Sequence, residues 1–290
     1  MQFLVFVLVY PLIWLISLLP MRILYVISDG IYYLLYYVIR YRKKVVFDNI
    51  KTAFPTKSNM EITQISKKFY HHFVDIFIEM IKSFTISKKE LQKRYVFENL
   101  EVLKKLENKG RSSILLGAHY ANWEWIFILN AHINFNAYAI YKKIRNKYFD
   151  AKVRATRGRF NTHLIPTKKT FKLIEHNTKS NILSLYGFLG DQSPKKQSAH
   201  HWGKFLGVQV PIYTGVEFMA KKYDLPIVYF KTEKIRRGYY KNTLKLLTAE
   251  PRQWKDYDIT DLFLRHVEEQ IYKEPQYYFW THKRFKHKVE

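Results

Sequence analysis

One short segment combines a histidine and an acid at a spacing that could support proton transfer. His119 and Glu124 lie five positions apart in the sequence Gly-Ala-His-Tyr-Ala-Asn-Trp-Glu at positions 117–124. Five residues of continuous helix turn about 500°, which would put the two side chains on different faces. Asn122 is a plausible N-cap, so we expect His119 in a loop and Glu124 in the first helical turn, reaching back to Nδ1. An imidazole held in this way is a general base. The alternative is a loop histidine beside a capping acid.

The sequence lacks the other common catalytic groups. It has no cysteine and no Gly-x-Ser-x-Gly elbow, so a covalent acyl-enzyme has no usual nucleophile. It has no Walker loop and no dinucleotide fingerprint, so no nucleotide cofactor is expected. The paired histidines at 71–72 and 200–201 are neighbours that rarely converge on one metal, and no His-Glu-x-x-His occurs. We therefore expect no metal or other cofactor, and direct transfer assisted by the His–carboxylate pair.

The elements that position this pair alternate between strand and helix patterns. Apolar runs predict strands at 113–117, 136–141, 181–189 and 225–230. Amphipathic or capped segments predict helices at 59–84, 100–109, 125–132, 146–159 and 258–273. This alternation predicts an α/β fold with a mixed sheet flanked by helices. His119 follows the strand at 113–117, and in open α/β sheets sites gather at the carboxyl ends of strands.

The charge of the chain favours anionic partners. Its 290 residues include 49 Lys and Arg against 24 Asp and Glu, a net charge of +25. Such a charge attracts nucleic acid, anionic lipid or an acidic carrier protein. A basic nucleic-acid-binding protein is the remote alternative, because no recognisable binding motif of that class is present. We therefore expect no nucleic-acid partner.

The amino-terminal segment predicts attachment to a membrane. Residues 1–20 carry no charged side chain, and their length can span a hydrocarbon core of about 30 Å as a helix. A second apolar run at 23–39 is rich in tyrosine, as an interfacial segment would be, and a basic block at 40–44 follows. We predict an anchor at 1–40 and a cytoplasmic catalytic domain at 41–290. A buried core hairpin is the alternative.

Five blocks, in this order along the chain, resemble the late acyltransferases of lipid A biosynthesis. The segment 117–124 is similar to the His-x4-Asp/Glu box of that family. The others are 42–55 (RKKVVFDNIKTAFP), 141–159, Asp191-Gln192 with Phe205-Leu206-Gly207 downstream, and 275–285 (PQYYFWTHKRF). The sequence departs from the family pattern at Leu206, where a second aromatic is common. It also departs at Lys142 and Lys143, where an arginine often follows the tyrosine.

The resemblance implies an activity. The donor would be an acyl-carrier-protein thioester, and the acceptor a hydroxyacyl chain on a lipid A precursor. His119 would be the base, Glu124 would orient it, and Asn122 or helix N-terminal N–H groups would stabilise the oxyanion. The same chemistry on an aminolipid or a glycolipid is the alternative. The site would lie on the cytoplasmic face of the bacterial inner membrane, against an anionic surface.

Other residues are candidates for binding the acceptor. Arg154, Arg157 and Arg159 share one basic segment and suit a phosphate, although a solvated helix face would have the same composition. Asp191 and Gln192 follow a predicted strand. They are expected to line the acceptor site or to support His119, with a plain turn as the alternative.

Overall fold

The computed structural model describes residues 1–289 and has a seven-stranded mixed sheet at its centre. The described residues form nine strands, of which seven belong to this sheet: β1 (Tyr95–Glu98), β2 (Ser113–Gly117), β3 (Asn136–Tyr141), β4 (Thr162–Pro166), β5 (Ser184–Leu189), β6 (His201–Phe205), β7 (Val208–Ile212), β8 (Ile227–Arg236) and β9 (Tyr239–Thr248). Within the sheet the order is β1-β9-β8-β2-β5-β3-β4, and β6 and β7 form a separate hairpin. Only β8 and β9 pair antiparallel within the large sheet, so β2, β5, β3 and β4 end at one edge.

Ten α-helices surround the sheet in the described part of the chain. They are α1 (Gln2–Leu18), α2 (Met21–Tyr33), α3 (Lys43–Ala53), α4 (Asn59–Lys82), α5 (Lys88–Arg94), α6 (Glu101–Asn108), α7 (Lys147–Gly158), α8 (Thr170–Lys179), α9 (Gly215–Tyr223) and α10 (Asp258–Lys273). The longest, α4, begins with a capping box in which Ser58 and Glu61 each bond the other's backbone N–H. Its predicted apolar stripe is buried at Ile62, Phe69 and Phe73. Helix α4 therefore packs as an amphipathic core helix.

Each face of the sheet has its own hydrophobic core. On β2, Ile114 and Leu116 belong to the larger core, whereas Leu115 belongs to a smaller one. The smaller core includes Leu106 of α6 and Leu129 of a 3-10 helix at Glu124–Ala131. Because both faces are covered, β2 is apolar along nearly its whole length. Burial on both faces explains why the residues of β2 form a continuous apolar run in the sequence.

Most predicted elements are present, with informative differences. The strands at 113–117 and 136–141 and the helix at 258–273 have the predicted bounds. The strand predicted at 181–189 begins later, at Ser184, because Asn181 adopts a left-handed turn after α8. The strand predicted at 225–230 continues to Arg236 as half of a hairpin with β9. Strands β1, β4, β6, β7 and β9 were not predicted, since polar residues interrupt their apolar patterns.

The amino-terminal helices pack against the rest of the chain. Helix α1 contacts α4 and α7, and α2 contributes the fully buried Leu24 to the larger core. Within residues 1–289, no single helix is both long and apolar enough to cross a membrane. One bent pair, Met21–Val38 with Lys43–Ala53, meets the length and composition together, but bends by 87°.

Candidate active site

Two adjacent parallel strands bring His119 and Asp191 together. Strands β2 and β5 end at Gly117 and Leu189, which are partners in the sheet, and each functional residue follows its strand by two positions. Nδ1 of His119 lies 2.8 Å from Oδ1 of Asp191. The same oxygen accepts the backbone N–H of His119 at 3.0 Å. The sheet therefore fixes both the position and the tautomer of the imidazole, with Nδ1 carrying the proton.

Asp191 is held as a carboxylate although it is buried. Burial by itself would raise its pKa, but the charge and hydrogen bonds of His119 lower the pKa of Asp191 below the usual value. Its side chain is 1% exposed, whereas that of His119 is 20% exposed. The buried anion thus supports an imidazole that solvent and substrate can reach.

The second ring nitrogen of His119 lies beside Gln192. Nδ1–H donates to Asp191, so Nε2 carries the lone pair and can accept a proton. Gln192 approaches this atom with its amide nitrogen at 3.4 Å. The rings of Trp123 and Phe279 lie beside the imidazole, with centroids 5.3 and 5.8 Å away. Asp191 and Gln192 are both at the histidine, and neither aromatic neighbour was predicted.

Glu124 does not orient His119, so the predicted contact between them is wrong. Its carboxylate binds Arg157 instead, with 3.0 Å from Nε to Oε2 and 2.7 Å from Nη2 to Oε1. This is a bidentate pair between the 3-10 helix and α7, and it is partly buried on both sides. Asp191, which lies 72 residues from the histidine in sequence, has the position expected of Glu124.

Asn122 caps the 3-10 helix but is not a substrate ligand. Its Oδ1 accepts the backbone N–H of Trp125 at 3.0 Å, which confirms the predicted capping. Its Nδ2 donates to Oε2 of Glu79 at 2.6 Å, and the side chain is fully buried. The expectation that this amide stabilises an oxyanion is therefore wrong, because the amide is bonded inside the protein at both ends.

The three candidate arginines point to different places. Arg157 is bound to Glu124, as described. Arg159 donates to the backbone carbonyls of Ser83, Phe84 and Ile86, so it secures the segment that follows α4. Arg154 is exposed and lines a groove of about 890 Å³ that also contains the starts of β3 and β4. That groove includes the amino-terminal ends of these strands, whereas His119 lies at the carboxyl edge, so the three do not form one phosphate site.

The comparison with protein families shows which family the chain belongs to and what class of reaction it catalyses. Residues 1–287 match the family model of the bacterial lipid A biosynthesis acyltransferases. The chain belongs to this family. The protein is therefore an acyltransferase that acts on lipid A. A comparison with curated proteins gives no match.

A narrow cavity of the acyltransferase is lined by Trp123, whose ring lies beside His119. Its volume is about 100 Å³, and it lies between the 3-10 helix and the sheet. Trp123 forms part of its wall, together with the Glu124–Arg157 pair. The sheet leaves space for the cavity because Ala139 and Gly187, which are partners on β3 and β5, have little or no side chain. The rest of the lining is mainly apolar.

Glycine is required where β2 enters the site. A Cβ at Gly117 would lie 2.1 Å from the ring of Phe230 on β8, well inside van der Waals contact. Phe230 is also part of the cavity wall. The glycine at the start of the histidine segment therefore allows an aromatic ring to close this side of the acyltransferase site.

The carboxyl-terminal segment of the acyltransferase holds the histidine loop in place. The backbone N–H of Phe279 donates to the carbonyl of His119 at 3.1 Å, and that of Ala121 donates to the carbonyl of Tyr277 at 2.9 Å. Asn49 of α3 in turn donates to the carbonyl of Trp280 at 2.8 Å. Two of the blocks similar to the family, at 42–55 and 275–285, thus act as supports for the third. Sequence spacing could not reveal these contacts, since they are mainly backbone bonds between distant segments.

Proposed function

We propose that this acyltransferase moves an acyl chain directly from an acyl-carrier-protein thioester to a hydroxyl of a lipid A precursor, with His119 as general base. The observation that carries the proposal is the 2.8 Å contact between Nδ1 of His119 and buried Asp191. It leaves Nε2 as the proton acceptor. Asp191 takes the orienting role, and Glu124 is assigned a different one.

The transfer needs no covalent enzyme intermediate. Nε2 of His119 accepts the hydroxyl proton while the hydroxyl oxygen forms a bond to the thioester carbonyl carbon. The C–S bond of the tetrahedral intermediate then breaks, and the thiolate takes the proton from the imidazolium. Asp191 stabilises that cation during the reaction. The absence of cysteine from the whole sequence supports direct transfer.

The cavity and its charged pair suit the acyl donor. The apolar lining beside Trp123 favours a hydrocarbon chain, and Arg157 lies on the same wall. Because Glu124 fixes the guanidinium in one orientation, Arg157 can donate to an oxygen of the bound thioester without reorganising. A volume of about 100 Å³ holds only a few carbon atoms, so a long chain must extend beyond the cavity or displace the 3-10 helix.

Exposed basic residues near this edge of the sheet favour anionic substrates. Lys142, Lys143 and Arg145 follow the carboxyl end of β3, and Lys195 and Lys196 follow that of β5. Both loops begin where His119 and Asp191 are located. A positive rim of this kind suits an acidic carrier protein and the phosphates of a lipid A precursor. We propose that the enzyme works at the cytoplasmic face of the inner membrane.

The proposal is tested by purified variants assayed with an acyl-carrier thioester and a lipid A precursor. We expect His119→Ala to lower kcat by roughly 10²–10⁴, and Asp191→Asn to lower it comparably, because the imidazole loses its orientation. His201→Ala is the matched control, since His201 of the β6–β7 hairpin forms a similar pair with Asp261 of α10 at 2.9 Å. Near-normal transfer by folded His119→Ala would exclude the mechanism.

The acceptor is tested in cells. Deleting the gene should give lipid A lighter by one acyl chain with unchanged phosphate, and the wild-type gene, but not His119→Ala, should restore the mass. Loss of an acyl chain from an aminolipid or glycolipid, with lipid A unchanged, would keep the chemistry and refute the proposed acceptor. Lipid mass spectrometry distinguishes these outcomes.

A further inference from the structure

A buried carboxylate that the proposed chemistry does not use lies directly behind the histidine loop. Glu79 of α4 is fully buried. Its oxygens accept from the hydroxyls of Tyr25 and Tyr240 at 2.8 Å each, and from Nδ2 of Asn122 at 2.6 Å. Three hydrogen bonds from three separate elements offset part of the cost of removing this charge from water. A hydrophobic residue would fill the same space at lower cost, so the carboxylate calls for a reason beyond packing.

The contact with Asn122 connects Glu79 to the geometry of the site. Asn122 lies between His119 and Glu124, and its other end accepts the backbone N–H of Trp125. The preceding residue, Ala121, has φ of +49°, a left-handed conformation that is unfavourable for a residue with a side chain. The turn is therefore strained and needs external support. Glu79 supplies that support through a side-chain hydrogen bond.

The same carboxylate binds the amino-terminal part of the chain. Tyr25 belongs to α2, and its hydroxyl packs against the β8–β9 turn so closely that a Cβ at Gly238 would lie 2.0 Å from it. A neighbouring network on α4 also fixes α2 to this turn, because Asp75 accepts from Ser28 at 2.8 Å and from Nη2 of Arg237 at 2.7 Å. Asp75 bonds α2 but does not contact Asn122, whereas Glu79 bonds both α2 and Asn122.

We propose that Glu79 is a positioning residue for acyl transfer, which holds the turn between His119 and Glu124 through Asn122 and ties that turn to α2 through Tyr25. The inference rests on the proposed role of His119. It assigns a function to a carboxylate that is distant from His119 in the sequence.

Reversing the direction of one hydrogen bond tests this proposal. In Asn122→Asp, two carboxylates face each other where an amide now donates, although the introduced carboxylate can still accept the backbone N–H of Trp125. We expect kcat to fall roughly 10- to 100-fold with a smaller change in KM, because the reacting groups are misplaced rather than lost. Adding Glu79→Gln places an amide donor opposite the new carboxylate. The double variant should recover activity to within about fivefold of wild type.

Asp75→Asn is the matched control. It removes the charge of the neighbouring buried carboxylate of α4 and one of its two acceptor oxygens, which weakens the bonds to Ser28 and Arg237, but leaves Asn122 untouched. It should lower the melting temperature while changing kcat by less than about threefold. A kcat of Asn122→Asp equal to wild type, or a double variant as impaired as Asn122→Asp, would refute the inference.

Two further measurements keep the outcome decisive. If Asn122→Asp does not fold, Glu79→Gln alone decides, with an expected fall in kcat of roughly 3- to 10-fold, because all three donors lose a charged acceptor and one of the two acceptor oxygens becomes an NH2 group. Wild-type kcat in folded Glu79→Gln would then refute the proposal. His119→Ala is assayed in parallel. If His119→Ala is inactive while Asn122→Asp is fully active, the positioning role fails and the proposed base stands.

Discussion

At the scale of single residues, the site depends on which carboxylate meets which basic side chain. Asp191 binds His119, and Glu124 binds Arg157. The His-x4-Glu spacing by itself predicted instead that Glu124 binds His119. The reason is geometric. Residues at equivalent ends of adjacent parallel strands lie side by side, whereas Asn122 and the strained turn at Ala121 direct Glu124 into the 3-10 helix, where α7 supplies its partner.

Glu79 should make stability depend on pH in a predictable direction. Burial raises the pKa of Glu79 from 4.5 to about 7, with further effects from its charged and polar neighbours. The groups facing it are Tyr25 of α2, Asp75 of α4, Asn122, Lys234 of β8 and Tyr240 of β9. A carboxyl whose pKa is higher in the folded state stabilises the fold below its unfolded pKa. That stability is lost as pH rises through the folded value.

The expected result follows for wild type compared with Glu79→Gln, which has no titrating group at this position. Between about pH 5 and pH 8, wild type should lose on the order of 1–3 kcal/mol of unfolding free energy relative to the variant. Denaturant unfolding at several pH values measures this difference. A constant difference across that range would show that the pKa of Glu79 is not raised.

At the scale of elements, the small side chains on adjacent strands create the cavity. Gly187 lies between Leu115 on β2 and Ala139 on β3, and all three are on the cavity surface. The 3-10 helix Glu124–Ala131 forms the opposite wall. Eight residues is long for this type of helix, whose hydrogen bonds are poorer than those of an α-helix. Because the cavity lies between the sheet and this helix, a larger side chain on the sheet would narrow it without contacting the histidine.

We predict that Gly187→Val changes the preferred acyl chain length. A Cβ at this position meets only the backbone of β3, at 3.6 Å or more, so alanine is accommodated and valine extends into the cavity. The ratio of kcat/KM for long over short donors should fall roughly tenfold in Gly187→Val and less in Gly187→Ala. Competition assays with donors of two chain lengths measure the ratio. An equal loss for both donors would mean that the chain binds elsewhere.

At the scale of the whole molecule, apolar surface is concentrated at the amino-terminal end. Leu8 and Leu12 of α1 are 63% and 60% exposed, and Val26 of α2 is 70% exposed. The opposite side of α1 packs on the protein, where Phe6 contacts Tyr148 and Phe149 of α7. Large exposed apolar patches mark interaction surfaces. We infer that α1 and α2 attach the enzyme to the membrane while α1 remains in contact with the catalytic part.

Charges on this surface should therefore weaken membrane binding. We predict that Leu8→Glu with Leu12→Glu lowers binding to anionic vesicles in high salt at least several-fold, with little change in melting temperature, because both side chains are exposed. Phe218→Glu is the matched control, since Phe218 of α9 is 58% exposed outside the amino-terminal helices. Vesicle sedimentation gives the bound fraction. Equal binding by the double variant and wild type would place the membrane contact elsewhere.

The sequence by itself determined the α/β class, the strand before His119, several element bounds and the histidine as the candidate base. These features are local: hydrophobic periodicity, capping residues and a motif at the end of a strand are all read within about twenty residues. It also identified Asn122 as a cap and brought Asp191 forward as one possible support.

Only the tertiary structure decided the partners. The carboxylate at His119 comes from β5, the partner of Glu124 comes from α7, and the support behind Asn122 comes from α4. Each contact joins segments 33 to 72 residues apart. The order of strands in the sheet and the packing of α4 set these contacts, and neither leaves a periodic signal in the chain. A local spacing can propose a reactive residue, but long-range packing chooses the groups that orient it.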